Sequence, residues 1–196
     1  MVNGKIIIAV GLAGVGKSTV LKRLGDLVSK AKRKVTIVSY GSIMTEKAKK
    51  LGMTGDRDEL RRSSVKKQKE LQEYAAKEIF KMTHRWDFVI VDTHMIISTD
   101  KGYLPALPHD ILSILRPSLL VVIEAEPEII LSRRTGDMER NRDQTSMEQL
   151  SAEIAFSRSA TAACSVITGA PAKFIKNLNG KQDAAAAQFL RLLEDV

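Results

Sequence analysis

Residues 11–19 read GLAGVGKST and follow directly on the apolar run KIIIAV. Gly11 to Ser18 satisfies the pattern G-x-x-x-x-G-K-[ST], and that arrangement has a specific chemical use. Backbone N–H groups that converge on an anion need dihedrals that glycine supplies at positions 11, 14 and 16. A helix starting near Gly16 adds its unpaired N–H groups and the positive end of its dipole. Lys17 is then placed to reach the β and γ phosphates of a nucleotide, and the Ser18 hydroxyl to bind Mg²⁺. Gly11, Ala13, Gly14, Val15, Gly16, Lys17, Ser18 and Thr19 are the expected phosphate-binding residues.

Two further groups could act with this loop. The run FVIVD (88–92) ends on Asp92, a carboxylate at the end of an expected strand, able to hold Mg²⁺ directly or through water. His94 stands two residues beyond it, on the side where a parallel sheet binds ligands. Arg133, Arg134, Arg140 and Arg142 fall within ten residues and flank a polar break that contains Gly136. Phosphoryl transfer spreads negative charge over three oxygens, which arginine forks neutralise when a small lid closes. Arg57, Arg61 and Arg62 form a second basic group. Two arginine clusters around one phosphate loop suggest two phosphorylated substrates, and a phosphate acceptor is already largely ionised, so a dedicated base is less necessary.

These groups need a frame. Lys5–Val10 reads as a buried strand, and Leu21, Leu24, Leu27, Val28 and Ala31 recur as the apolar face of a helix. KVTIVSYG (34–41) is a second strand, so the first forty residues form a βαβ unit. Residues 42–83 are mostly helical and charged, broken at 51–56, and look like a mobile subdomain. WDFVIVDTH (86–94), SLLVVIEAEP (118–127) and AKFIKNL (172–178) are further strands. Residues 95–110 read as loop leading into a short helix, with more helix from 129, over about 146–164 and at 183–194. Alternating elements of this length imply one parallel sheet covered on both faces.

The 196 residues suit a single domain, and 44% hydrophobic with 28% charged residues is an ordinary globular composition. Lys+Arg 31 against Asp+Glu 23 gives a net charge of +8, which favours anionic partners. With basic residues scattered and 5% aromatics, a nucleotide cavity is favoured over a nucleic-acid surface; nucleic-acid binding is possible but not expected. One cysteine, Cys164, excludes an internal disulfide and reads as a small buried hydrophobe. His84 reads as structural or solvent-facing, and His109, at the start of a short helix, as local in role. No signal-peptide pattern and no long apolar segment is present, so a cytoplasmic protein without a membrane partner is expected.

Taken together, GLAGVGKST, SYG..M (39–44), VDTH (91–94), GYLPALP (102–108), IEAEPEIILSRR (123–134), DMERNRD (137–143) and TGAPAKFIKNLNG (168–180) closely resemble the archaeal type of adenylate kinase. The resemblance runs from about residue 4 to the end. It implies an α/β fold of the P-loop NTPase type, a three-layer sandwich with a five-stranded parallel sheet between helices. It also implies a single domain over 1–196, with an AMP-binding helical insertion over about 42–83 and a short lid over about 135–145. The implied reaction is ATP + AMP ⇌ 2 ADP with Mg²⁺. Tyr40, Gly41, Met44, Arg61, His94, Tyr103, Leu104 and Pro105 would border AMP. Lys17, Arg134, Arg140 and Arg142 would be catalytic, Ser18 and Asp92 would serve the metal, and Asn177 to Gly180 would pass near the adenine of ATP. A homo-trimer is the implied assembly. The family commonly has proline where this chain has Ala13, and DEMRKL where it has DRDELRRSS. A kinase for a different acceptor, or a nucleotide-dependent switch or RNA-associated ATPase, would share the phosphate loop.

Overall fold

The computed structural model describes residues 4–30, 33–53, 64–99, 102–135 and 146–196. Strand β1 (Lys5–Val10) lies at the centre of a five-stranded sheet, and its Ile7, Ile8, Ala9 and Val10 are wholly buried. Burial on both faces explains why this strand reads as an unbroken apolar run rather than an alternation. Its neighbours are β3 (Phe88–Asp92) and β6 (Leu119–Glu124), with β2 (Val35–Ser39) and β7 (Ala172–Lys176) at the edges. The order β2-β3-β1-β6-β7 is parallel throughout, and the register sets Ala9 opposite Asp92 and Glu124 opposite Lys176.

Alternate residues of β1 feed two cores. Ile7 and Ala9 pack with α1 (Lys17–Val28) and α7 (Gln182–Leu192) through Val20, Leu24, Ala186 and Phe189. Ile6, Ile8 and Val10 pack on the opposite face with α3 (Val65–Met82) and α4 (His109–Leu115) through Ala75, Ile79, Leu112 and Leu115. Each buried isoleucine or leucine contributes about 1.5–3 kcal/mol to this sandwich. Three layers around a five-stranded parallel sheet are as expected from the sequence. Helices α2 (Tyr40–Lys50), α5 (Pro127–Thr135) and α6 (Met147–Thr168) complete the described elements.

Four readings change. Residues 96–99 and 102–105, expected as loop, pair as antiparallel strands β4 (Ile96–Thr99) and β5 (Gly102–Pro105), with Ile97 opposite Leu104. Four-residue strands beside Gly102 and Pro105 carry too little pattern to be read from sequence. The second strand ends at Ser39, whose Oγ accepts from Ser42 N (3.3 Å) and caps α2, so Tyr40 begins a helix rather than ending a strand. Helix α3 is not a subdomain apart from the core, because Ala75, Ala76 and Ile79 are wholly buried in it. Helix α6 runs beyond the expected end near 164 to Thr168, stopped by Gly169 at φ 71.

Candidate active site

The strands are parallel, so their carboxyl ends converge on one rim, and the functional side chains gather there. Val10 leads into the glycine loop, Asp92 ends β3, Glu124 ends β6, and Asn177 follows β7. The loop turns into α1 at Gly16, whose φ of 83 and ψ of 21 are left-handed, and Gly14 has φ 96. Both values are ones that glycine adopts without strain. No side chain caps α1, so the positive end of its dipole is left to face an anion.

The loop is braced from outside by four side chains, each donating to one of its carbonyls. His94 Nδ1 donates to Gly11 O (3.1 Å), Arg134 Nε to Ala13 O (2.9 Å), Arg133 to Gly14 O (3.2 Å) and Asn177 Nδ2 to Val15 O (2.8 Å). A trans peptide points its C=O and the following N–H in opposite directions. Each outward carbonyl therefore turns the next amide the other way. The loop owes part of its shape to residues that come from β3, α5 and β7, not to its glycines alone.

Lys17, at the start of α1, is 8% exposed, and its Nζ donates to Asp92 Oδ1. The pairing follows from register, because Ala9 and Asp92 are neighbours across the sheet. Arg134 also donates to Glu153 of α6 (2.8 Å), both residues being largely buried. Arg158 of α6 forks onto Glu124 with bonds of 2.7 and 2.8 Å, which raises the guanidinium pKa further above its ordinary value. These two pairs hold α6 across the end of β6. Between them and the outer side of the loop lies a cavity of about 320 Å³, lined by Leu12, Val15, Ile130, Ile154 and Arg158 among others.

The expected site residues are thus sorted as follows. Gly11, Ala13, Gly14, Val15, Gly16, Lys17 and Ser18 form one loop and helix start, and Asp92, His94 and Arg134 bond to it or to Lys17; Thr19 is exposed on the first turn of α1. Tyr40 is 3% exposed; its hydroxyl donates to Gln72 O (2.7 Å), and burial pushes its pKa up. Gly41 and Met44 share the first turns of α2 with it, half-buried. Tyr103 is stacked on Phe156 of α6, ring centroids 5.3 Å apart, while Leu104 and Pro105 complete strand β5. Arg57, Arg61, Arg62, Arg140 and Arg142 lie outside the described residues, as does the expected lid of about 135–145 beyond Thr135. Cys164 is buried against Met95, its thiol pKa raised by burial. His84 and His109 are exposed. Sequence reasoning gave no role to Glu153 or to the Asn177 side chain; no local spacing marks either.

Sheet order, loop geometry and the Lys17–Asp92 pair define a P-loop nucleotide-binding protein. Residues 10–151 match the family model described as an AAA domain. The chain is 44% identical to an adenylate kinase of Thermoplasma acidophilum over 93% of this chain and 95% of that one. It is 38% identical to an adenylate kinase of Methanocaldococcus jannaschii, covering 98% of this chain and all of the other. The chain belongs to the adenylate kinase family. Among solved structures, an unliganded sugar kinase from Janibacter covers 97% of this chain and 95% of its own at TM-score 0.51 and 12% identity, a likeness of fold.

Proposed function

We propose that the protein is an adenylate kinase that moves a phosphoryl group reversibly between ATP and AMP, giving two ADP. The observation that carries this reading is the braced phosphate loop with Lys17 and Asp92 at its exit, in a chain of this family. ATP phosphates would lie in the loop from Gly11 to Ser18, against the start of α1. Lys17 would exchange the Asp92 carboxylate for phosphate oxygens, and its charge would offset that developing on the transferred group. Arg134, with Arg140 and Arg142 of the lid, would add to that neutralisation while excluding water.

The acceptor side would be bordered by Tyr40, Gly41, Met44, Arg61, His94, Tyr103, Leu104 and Pro105. Tyr40 acts there as a buried wall, since its hydroxyl is committed to Gln72. The phosphate of AMP needs no general base, being ionised at neutral pH. Ser18 and Asp92 offer a hydroxyl and a carboxylate, hard oxygen donors that suit Mg²⁺, an ion that takes few protein ligands beside phosphates and water. When bound, Mg²⁺ would neutralise charge on the β and γ phosphates.

A homo-trimer is part of the proposal. The outer face of α6 carries Ala152, Ala155, Phe156, Ala162, Ala163, Val166 and Ile167, all exposed, with Val166 at 85%. A largely apolar face of this kind suits a second copy of the chain. No helix among the described residues is long and apolar enough to cross a membrane, and a cytoplasmic site of action fits that. The test is phosphoryl transfer from Mg·ATP to AMP, GMP, CMP, UMP or no acceptor, products separated by charge. ADP formed with AMP at twice the rate of ATP loss is expected. Equal ATP loss without any acceptor would overturn the reading in favour of an ATPase or switch.

A further inference from the structure

Asn177 is wholly buried, yet the fold gives it an unfavourable position. Its backbone N donates to Glu124 O (2.7 Å) and its side-chain Nδ2 to Val15 O (2.8 Å). Its Oδ1 is also buried and has no hydrogen-bond partner among the described residues. A buried acceptor left unpaired destabilises a fold, and an apolar residue of the same shape would not carry that cost. Core packing therefore does not explain an asparagine here.

The phosphate loop does. The Val15–Gly16 peptide is trans, so holding Val15 O toward Asn177 aims the Gly16 N–H the opposite way. The amide also fills the space beside Gly16: a Cβ there would lie 2.5 Å from Nδ2. Glycine at 16 and asparagine at 177 are thus two halves of one contact. Gly16 is where the loop becomes α1, one residue before Lys17.

We infer that Asn177 is a positioning residue for the phosphate loop: it fixes the orientation of the Val15–Gly16 peptide, and with it the fit of the loop to the ATP phosphates, at a cost in stability. The inference rests on the proposed donor role of the loop. It acts on ATP and not on AMP, because its side chain bonds to the loop alone.

The test is Asn177→Leu in the full chain, read by thermal unfolding and by calorimetric titration with Mg·ATP in the absence of acceptor. The expected result is a folded variant melting within about 4 °C of the parent, because removing the unpaired Oδ1 offsets the loss of the bond to Val15 O, with Mg·ATP affinity lower by about tenfold, the scale of one lost hydrogen-bonded restraint. KM for AMP should stay within twofold. A residue that only packs would leave Mg·ATP affinity unchanged, whatever the melting temperature of the variant. If Asn177→Leu fails to fold, Asn177→Ala is read in the same two assays, with the affinity loss again expected. Unchanged Mg·ATP affinity in the folded variant overturns the inference. If the parent chain itself shows no Mg·ATP binding, the proposed function fails instead, so the two failures are distinct.

Discussion

Replacing Gly16 by alanine separates two constraints on the phosphate loop, provided Gly52 is replaced in parallel. Both glycines are left-handed, at φ 83 and φ 70. Alanine at either position meets the same backbone penalty, about 1–2 kcal/mol. The surroundings differ: a Cβ on Gly52 has nothing within 4 Å, whereas one on Gly16 would lie 2.5 Å from Asn177 Nδ2 and 3.2 Å from an Arg133 nitrogen. The arginine end can swing aside, but the buried amide cannot. It must break its bond to Val15 O, a net loss of about 0.5–1.5 kcal/mol. Gly16→Ala should therefore melt below Gly52→Ala by the equivalent of that bond, about 2–4 °C for roughly 1 kcal/mol in a chain of this size. Differential scanning calorimetry on both variants measures the gap, and Mg·ATP titration should show weakened binding only for Gly16→Ala. Equal melting temperatures together with equal affinities would refute the claim that the Asn177 contact shapes this turn.

Three other outcomes follow from the same geometry. Lys17→Met should lower kcat by about 10²–10³-fold, the loss typical of one transition-state donor. The fold should survive it, because Asp92 is a quarter exposed and can rehydrate; melting and turnover measured together check this. Glu153→Ala should cost about 1.5–3 kcal/mol, the range for a hydrogen bond to a charged group, since it leaves the largely buried Arg134 guanidinium without its carboxylate. Glu153→Gln, which keeps an acceptor, should recover most of that in thermal unfolding. Cys164 should resist iodoacetamide in the native protein at pH 8, because burial raises its thiol pKa and so lowers the reactive thiolate fraction; mass spectrometry should find it labelled only after denaturation.

Much of this arrangement is legible along the chain because it is local. The strand-loop-helix unit announces itself within twenty-four residues, and the three central strands are runs rich in β-branched and aliphatic residues. What stays hidden is contact between distant positions. Asn177 and Val15 are 162 residues apart, and Arg134 and Glu153 are 19 apart, with nothing periodic to connect them. The strand pair at 96–99 and 102–105 escapes for a different reason, since its strands are too short to show alternation. Tyr40 reads as a strand-end residue facing a ligand, and only the fold reveals that its hydroxyl is committed to Gln72.

The central claim is direct transfer between nucleotides, and a label tests it most simply. Mg·ATP carrying ³²P in the γ position is incubated with the full chain and AMP, and the products are separated before the reaction reverses appreciably. The account predicts that the label appears in the β phosphate of ADP, with little inorganic phosphate released and none transferred when AMP is left out. Label recovered as inorganic phosphate, at a rate indifferent to AMP, would contradict it.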